Sequence, residues 1–306
     1  MQTERTQTRT AVGTTIVVPG SISNLGPGFD ALSVAVQLYL RAKIVEIRPG
    51  EPDTIAWEFG GAGPAGENRI ESAYRLARKH VGVPAPGLTV QVSSEIPQTA
   101  GLGSSAAAAI AGLRLYEAVT APRPTEDWLA MASELEGHPD NAAAALLGGI
   151  TVSCQREDGA VMARSSRWPE AVRLVVATPD MGLRTSHARR VLPADMPLKD
   201  AIFNLQRGLL LVHALRSGRY DDLREAMKDR WHQPARASLV PGLAEAIAFD
   251  DPAVLGVCLS GAGPSIVALT TDGAERATAL FEDLYKRLGL PCTIRTLSAH
   301  QPFDSA

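Results

Sequence analysis

The segment EIPQTAGLGSSAAAAIAGL, residues 95–113, holds the densest chemistry in the chain. Gly101, Gly103, Ser104 and Ser105 run into an alanine-rich stretch that reads as a helix from about Ser104 to Val119. A helix N-terminus leaves about four N–H groups unpaired and carries roughly half a positive charge. Glycines in front of it let an anion approach the backbone closely. The two serines add hydroxyls that can bond phosphate oxygens or a metal ion. The stretch therefore reads as a phosphate cradle.

Two general nucleotide motifs compete with that reading. A Walker A loop needs a Gly-Lys dipeptide, and the chain has none. A dinucleotide fingerprint needs a second strand with an acidic residue about 20 positions on. Here GLGSSA ends in alanine and a long helix follows. The plain alternative is a tightly packed, capped core helix.

The elements that must hold this loop alternate in a mixed pattern. TTIVVPG reads as a strand ending in a turn, SNLGPGFDA as a loop, and LSVAVQLYLRAKIVEIRPG as one or two strands. TIAWEFG and GLTVQVSSEIP are further strands, with a helix over NRIESAYRLARKHVGV between them. After the loop come a helix over PTEDWLAMASELEG with Thr125 as its N-cap, a short helix entered through Pro139, and the strand ITVSC. QREDGAVMARSSRWPE is polar and turn-rich, so the domain boundary is expected near 160–172, giving domains 1–165 and 166–306. The second half reads strand, several helices between Thr185 and Phe249, strand, a GAGP turn, strand, helix, strand. That is a split βαββαβ plan with helices inserted at the first crossover. The fold class is α+β.

Composition narrows the function. At 306 residues the chain has room for about two domains. A net charge of −3 with mixed signs argues against nucleic acid or an anionic membrane as partner. Cys154, Cys258 and Cys292 lie far apart, with no CxxC pair, and suit reduced thiols in a cytosolic protein. The first ten residues read as a loose polar tail rather than a secretory signal. No apolar run approaches the ~18–20 residues of a membrane span. His80, His213 and His300 stand in no constellation, and the stripe of Leu209, Leu210, Val212 and Leu215 is expected in the core.

PxxxGLGSSAA after a strand resembles the phosphate loop of the GHMP small-molecule kinases. PGSISNLGPGFDAL, EGHPDNAAAALLGG and LSGAGPSIVAL are similar to three further family segments, in the same order. The resemblance implies an N-terminal α+β domain, a ferredoxin-like C-terminal domain, and ATP with Mg²⁺. It implies nucleotide contacts from Pro97, Gln98, Thr99, Ala100, Gly101, Leu102, Gly103, Ser104, Ser105, Ala106 and Ala107, with Asn68 near the adenine. Family loops often carry a glycine where Thr99 stands, and DNVAPA where this chain has DNAAAA.

Charged residues outside the loop suggest the acceptor. Asn24 and Asp30 share one Gly/Pro loop, and an acid there suits an ammonium group. Arg189, four residues after Thr185 on one helix face, and Arg236 suit a carboxylate, which guanidinium forks grip well. A free hydroxyl beside both charges describes a hydroxy amino acid. Asp30 could instead brace its loop, Arg236 could be a surface charge, and Arg190 is the alternative to Arg189. SNLGPGFDALSVAV, TSHARRVLP and DRWHQPAR resemble the homoserine kinase branch of the family. That resemblance places Asn24 and Asp30 at the amino end of L-homoserine, and Arg189 and Arg236 at its carboxylate. Thr185 and His138 lie near by, and Gly261 and Gly263 close the pocket. Ser105 and Glu136 would hold the metal, with Glu134 in reserve. Asp140 or Asn141 marks the position assigned as base in some relatives, although a dedicated base is doubted in this branch. A homodimer and a cytoplasmic location are expected. Another GHMP acceptor, or a ligand sensor without turnover, is the competing reading.

Overall fold

The computed structural model describes residues 11–61, 63–64 and 66–302, so the polar tail lies outside the described residues. The N-terminal sheet is built on β2, Leu32–Arg48, a single 17-residue strand. Strand β1, Thr15–Ser23, pairs antiparallel along it and passes Pro19/Gly20 through a register shift instead of turning there. β4 (Gly87–Ser94) takes the second half of β2 and β5 (Ile150–Gln155) its beginning, while β3 (Ile55–Phe59) pairs parallel to β4.

β6, Val161–Ser166, lies within the stretch expected to be a polar connection, and pairs with β5. Only Ala163 of β6 is buried. An edge strand that turns its residues to water carries no apolar alternation, so the sequence reads as a turn.

Helices α1 (Arg69–Val81), α2 (Ser104–Val119), α3 (Thr125–Glu136) and α4 (Asp140–Leu147) belong to the same half. α2 is buried through Ala106, Ala107, Ala109, Ile110 and Leu113. Its small side chains permit close approach: a Cβ on Gly112 would come within 2.1 Å of the Ile70 carbonyl oxygen in α1. Thr125 is the first residue of α3 and not its cap. Pro124 holds the cap position, and no side chain bonds the first turn.

The second sheet has the order β10-β7-β9-β8, all antiparallel, from β7 (Arg173–Pro179), β8 (Gly256–Leu259), β9 (Ile266–Thr270) and β10 (Cys292–Leu297). Strand alternation splits its side chains between two cores. Leu174, Val176, Val267 and Leu269 join the core shared with the first sheet. Val175, Ala177, Ile266 and Ala268 pack with α9 (Leu243–Ile247) and α10 (Ala274–Leu288). Between β7 and β8 lie α5 (Thr185–Arg190), α6 (Leu198–Ser217), α7 (Leu223–Ala226) and α8 (His232–Arg236). Leu215 of the expected core stripe is buried, and Leu210 and Val212 pack partly against the core. Leu209 is exposed, because the inward face of α6 is set by Asn204, Leu211, Ala214 and Leu215.

Candidate active site

The N-terminus of α2 points into a cleft where both sheets contribute loops. Gly103 caps α2 in the left-handed region at φ 72°, and no side chain bonds its first turn. The position that a capping oxygen would take is thus left to a ligand. A Cβ on Gly103 would stand 2.1 Å from Ser21 Oγ, and one on Gly101 2.4 Å from the Ser260 carbonyl oxygen. Both glycines are required by close approach as well as by backbone angle.

The C-terminal Gly-rich turn is stitched to this loop. Ser260 Oγ donates to the Gly101 carbonyl at 2.7 Å, and the Ser265 amide donates to the Ala100 carbonyl at 3.2 Å. Gly261 is a junction: its amide donates to the Ser23 carbonyl, and its own carbonyl accepts from Asn24 Nδ2 and Arg236 Nη1, each at 3.0 Å.

The resulting cleft of about 460 Å³ is lined by most of the residues singled out from the sequence. Asn24, Asp30, His138, Asp140, Asn141, Thr185, Arg189, Arg236, Gly261 and Gly263 meet there with Thr99, Ala100, Gly101, Gly103, Ser104, Ser105, Ala106 and Glu136. A second cleft of about 500 Å³ adjoins it, sharing Glu67, Arg69, Thr99, Ser104 and Ser105. Phe59, Pro64, Ile70 and Ile96 give that second cleft apolar walls, and Asn68 and Gln98 line it too. The Asn68 side-chain oxygen caps α1 by accepting from the Ile70 and Glu71 amides, so only its amide nitrogen is left for a ligand. Leu102 and Ala107 line neither cleft; both side chains are buried in the core.

Asn24, Leu25, Asp30 and Thr99 all adopt positive φ, between 44° and 71°. Four non-glycine residues in the left-handed region around one cleft mark backbone held in place by its surroundings.

Charge is arranged in opposition across the cleft. Asp30 receives two hydrogen bonds from Arg189. Arg236 is no surface charge: it is 2% exposed, and donates to the carbonyls of Ala188 and Gly261 and to His232 Nδ1. Burial, then the Arg189 charge, lowers its pKa to about 10, so it stays cationic at neutral pH. His232 Nε2 donates to the Gly26 carbonyl at 2.7 Å. With Nδ1 accepting from Arg236, the ring is neutral, and burial pushes its pKa down. Burial works against a charged His138 also. There the hydrogen bond and charge of Asp140 outweigh it and raise the pKa.

Asp140 Oδ1 accepts from His138 Nδ1 and the Asn141 amide, both at 2.7 Å, and from Asn141 Nδ2 at 3.3 Å. Asn141 Oδ1 accepts from Ser21 Oγ at 2.7 Å. Ser105 Oγ donates to Glu136 Oε1 at 2.6 Å, which joins the two expected metal ligands. Glu134 faces away and pairs with His80. Two hard oxygen donors from different helices suit Mg²⁺. Asp30, His138 and Asp140 also lie within 4.8 Å of one another, but Arg189 binds Asp30 and the third member is a histidine favoured as a cation. With those two cationic partners the cluster is ill suited to a dication.

Ser21, Phe29, Arg69, Arg184 and His232 were not singled out from the sequence. Phe29 lies between guanidiniums, 5.5 Å from Arg189 and 5.2 Å from Arg236. Arg69 and Arg184 line the cleft next to residues that were chosen, and their proximity to Asn68 and Thr185 was the available signal. The roles of Ser21 and His232 arise from contacts 120 and 206 residues apart, which leave no local trace.

Comparison with known proteins agrees with this geometry. Residues 68–149 match the GHMP kinases N terminal domain, and residues 211–286 match the GHMP kinases C terminal domain. A homoserine kinase of Thermus thermophilus is 40% identical over 262 residues, covering 85% of this chain and 88% of its own. That of Moorella thermoacetica is 38% identical over 286 residues, covering 92% and 95%. The crystal structure of homoserine kinase from Cytophaga hutchinsonii superposes with a TM-score of 0.81 at 24% identity, covering 94% of this chain and 95% of that one.

Proposed function

The chain belongs to the homoserine kinases of the two-domain GHMP kinase family, and on that premise we propose how its cleft moves the ATP γ-phosphoryl onto the side-chain hydroxyl of L-homoserine. The product is O-phospho-L-homoserine, on the route to threonine. The carrying observation is that an uncapped, glycine-flanked helix N-terminus opens into the same cleft as Asp30 and two arginines.

The α2 amides and the hydroxyls of Ser104 and Ser105 hold the triphosphate, with Arg69 at its flank. The base lies in the adjoining apolar cleft. Asp30, with Asn24, receives the substrate ammonium. Arg189 and Arg236 receive its carboxylate, aided by Thr185. Ser105 and Glu136 would hold Mg²⁺, which neutralises charge on the β- and γ-phosphates.

In the reaction the acceptor oxygen forms a bond to the γ-phosphorus while the bond to the bridging β–γ oxygen breaks, and ADP leaves. Asn141 is an amide and cannot take the proton. Asp140 already fills one oxygen with three donors. Asp140 and Asn141 therefore act by fixing His138 and Ser21 near the end of β1, and the hydroxyl proton leaves through phosphoryl oxygen or water. Rate comes mainly from position and charge.

We assign the domains as 1–165 and 166–306, a division supported by the last strand of the first sheet, which ends within one residue of it at Ser166. Among the described residues no helix is long and apolar enough to cross a membrane. A cytoplasmic homodimer acting on two small molecules is the setting proposed. An ADP-release assay with homoserine, mevalonate, shikimate and galactose tests the reading. Turnover only with homoserine is expected. Preference for another acceptor, or ATP binding without turnover, overturns it.

A further inference from the structure

Among the described residues the cleft is lined by four arginines, Arg69, Arg184, Arg189 and Arg236, and by no lysine. Three of them already have partners. Arg189 is bound to Asp30 through both terminal nitrogens. Arg236 is buried and donates to two carbonyls and to His232. Arg69 stands 3.7 Å from Glu67 and also lines the adjoining apolar cleft, on the side assigned to the base. Arg184 is different. Its side chain is exposed, and it makes no hydrogen bond or ion pair with any described residue.

The backbone fixes where that guanidinium starts from. Leu183 is buried, and its amide donates to the Thr99 carbonyl at 3.3 Å. A Cβ on Gly182 would stand 3.0 Å from Thr99 Oγ1, so this segment lies close against the phosphate loop. Directly after Arg184 comes α5, whose Thr185 and Arg189 line the acceptor end of the cleft. Arg184 therefore stands at the seam between the loop assigned to the triphosphate and the helix assigned to the acceptor. The γ-phosphoryl has to cross that seam.

We propose that Arg184 is a catalytic residue of the transfer: its guanidinium closes on the γ-phosphoryl oxygens as the group passes from ADP to the acceptor. The proposal rests on the kinase reading of the cleft and adds a residue to it. As the acceptor oxygen bonds to phosphorus and the β–γ bridge breaks, charge moves onto the bridging oxygen and spreads over the equatorial oxygens. Ser105 and Glu136, the assigned Mg²⁺ ligands, lie on α2 and α3. Arg184 brings positive charge from the C-terminal domain instead. A guanidinium fork meets phosphoryl oxygens in pairs, and a side chain without a protein partner gives up no ion pair to do so. Arg189 and Arg236 are held for the acceptor's carboxylate, which leaves Arg184 to the phosphoryl group. An interaction completed only in the transition state raises kcat and leaves ground-state binding nearly unchanged.

Steady-state kinetics on the full chain with ATP, Mg²⁺ and homoserine tests this. Arg184→Ala is expected to lower kcat about 100-fold or more, and to move the KM of ATP and of homoserine by no more than about threefold. Its melting temperature should match wild type, since the side chain holds no partner. Calorimetric titration adds a readout besides turnover. With homoserine present, ADP with Mg²⁺ and aluminium fluoride mimics the phosphoryl group in flight. That mimic should bind Arg184→Ala about 100-fold more weakly than wild type, while a non-hydrolysable ATP analogue binds both alike. A kcat within about threefold of wild type overturns the proposal. Equal weakening of the mimic and the ATP analogue makes Arg184 a ground-state nucleotide contact, and overturns its part in the transfer. A change confined to the homoserine KM assigns it to the acceptor's carboxylate, with the same consequence. None of these results touches the kinase reading, which fails only if the wild type does not phosphorylate homoserine.

Discussion

Arg189 meets Asp30 through two parallel hydrogen bonds, Nη1 to Oδ2 at 3.0 Å and Nη2 to Oδ1 at 2.7 Å. The groups assigned to opposite ends of a zwitterion hold each other across the cleft. A substrate with both charges can replace each partner. An acceptor with one charge leaves the other group unpaired. Both side chains are about one-third exposed, which moderates the penalty. Asp30→Asn is expected to raise the homoserine KM roughly 30-fold, the conversion of about 2 kcal/mol, and to leave the ATP KM within about twofold. 4-Hydroxybutanoate, which lacks the ammonium, should lose much less on the same substitution. Steady-state kinetics with both acceptors decides it; equal losses would detach Asp30 from the ammonium.

Arg236→Leu is expected to act on stability and binding together. It strips donors from the Ala188 carbonyl, the Gly261 carbonyl and His232. Unfolding should become easier by about 2–4 kcal/mol, with a raised homoserine KM measured below the new melting point. An unchanged KM in the folded fraction would remove the residue from the pocket.

Asp140→Asn keeps an acceptor oxygen for His138 and the Asn141 amide. Its kcat should fall by about tenfold or less. Loss of a true general base commonly costs about 10²–10⁴. A drop in that higher range, in single-turnover assays at saturating substrates, would make Asp140 the proton acceptor.

Two substitutions in the phosphate loop should move stability in opposite directions. Gly103→Ala forces a left-handed alanine against Ser21 Oγ, and is expected to cost at least about 2 kcal/mol and weaken ATP binding. Thr99 already stands at φ 53°, at the position where family loops often carry glycine. Thr99→Gly relieves that strain against a larger unfolded-state entropy, for a net gain of about 0.5–1 kcal/mol. Urea unfolding of both variants gives the signs.

His232 gives the fold a dependence on pH. Its pKa in the native chain is below the ordinary 6.5, because burial disfavours the cation. Between the two values the unfolded chain binds a proton that the native chain refuses. Stability contributed by His232 is therefore lost as pH falls below about 6.5, and fully present above it. His232→Gln keeps a donor and an acceptor without a titrating group. Its melting temperature should rise less steeply than that of wild type between about pH 5 and 6.5, and run parallel above. Identical slopes would assign the acid sensitivity elsewhere.

Much of the molecule is written locally. The boundaries of α2 coincide with the run that predicts them, because a capping glycine and apolar spacing act within a few residues. GLGSS announces an anion site because a helix N-terminus has the same unpaired amides wherever it occurs. β6 was illegible since an exposed edge strand has no pattern to show. Only the tertiary structure decided that Arg236 is buried, that Asp30 faces Arg189 across 159 residues of chain, and that Glu136 rather than Glu134 reaches Ser105. It also turned Leu209 outward. These outcomes depend on which surfaces of distant elements meet. That is fixed by packing two sheets against one shared core, and no window of sequence contains it.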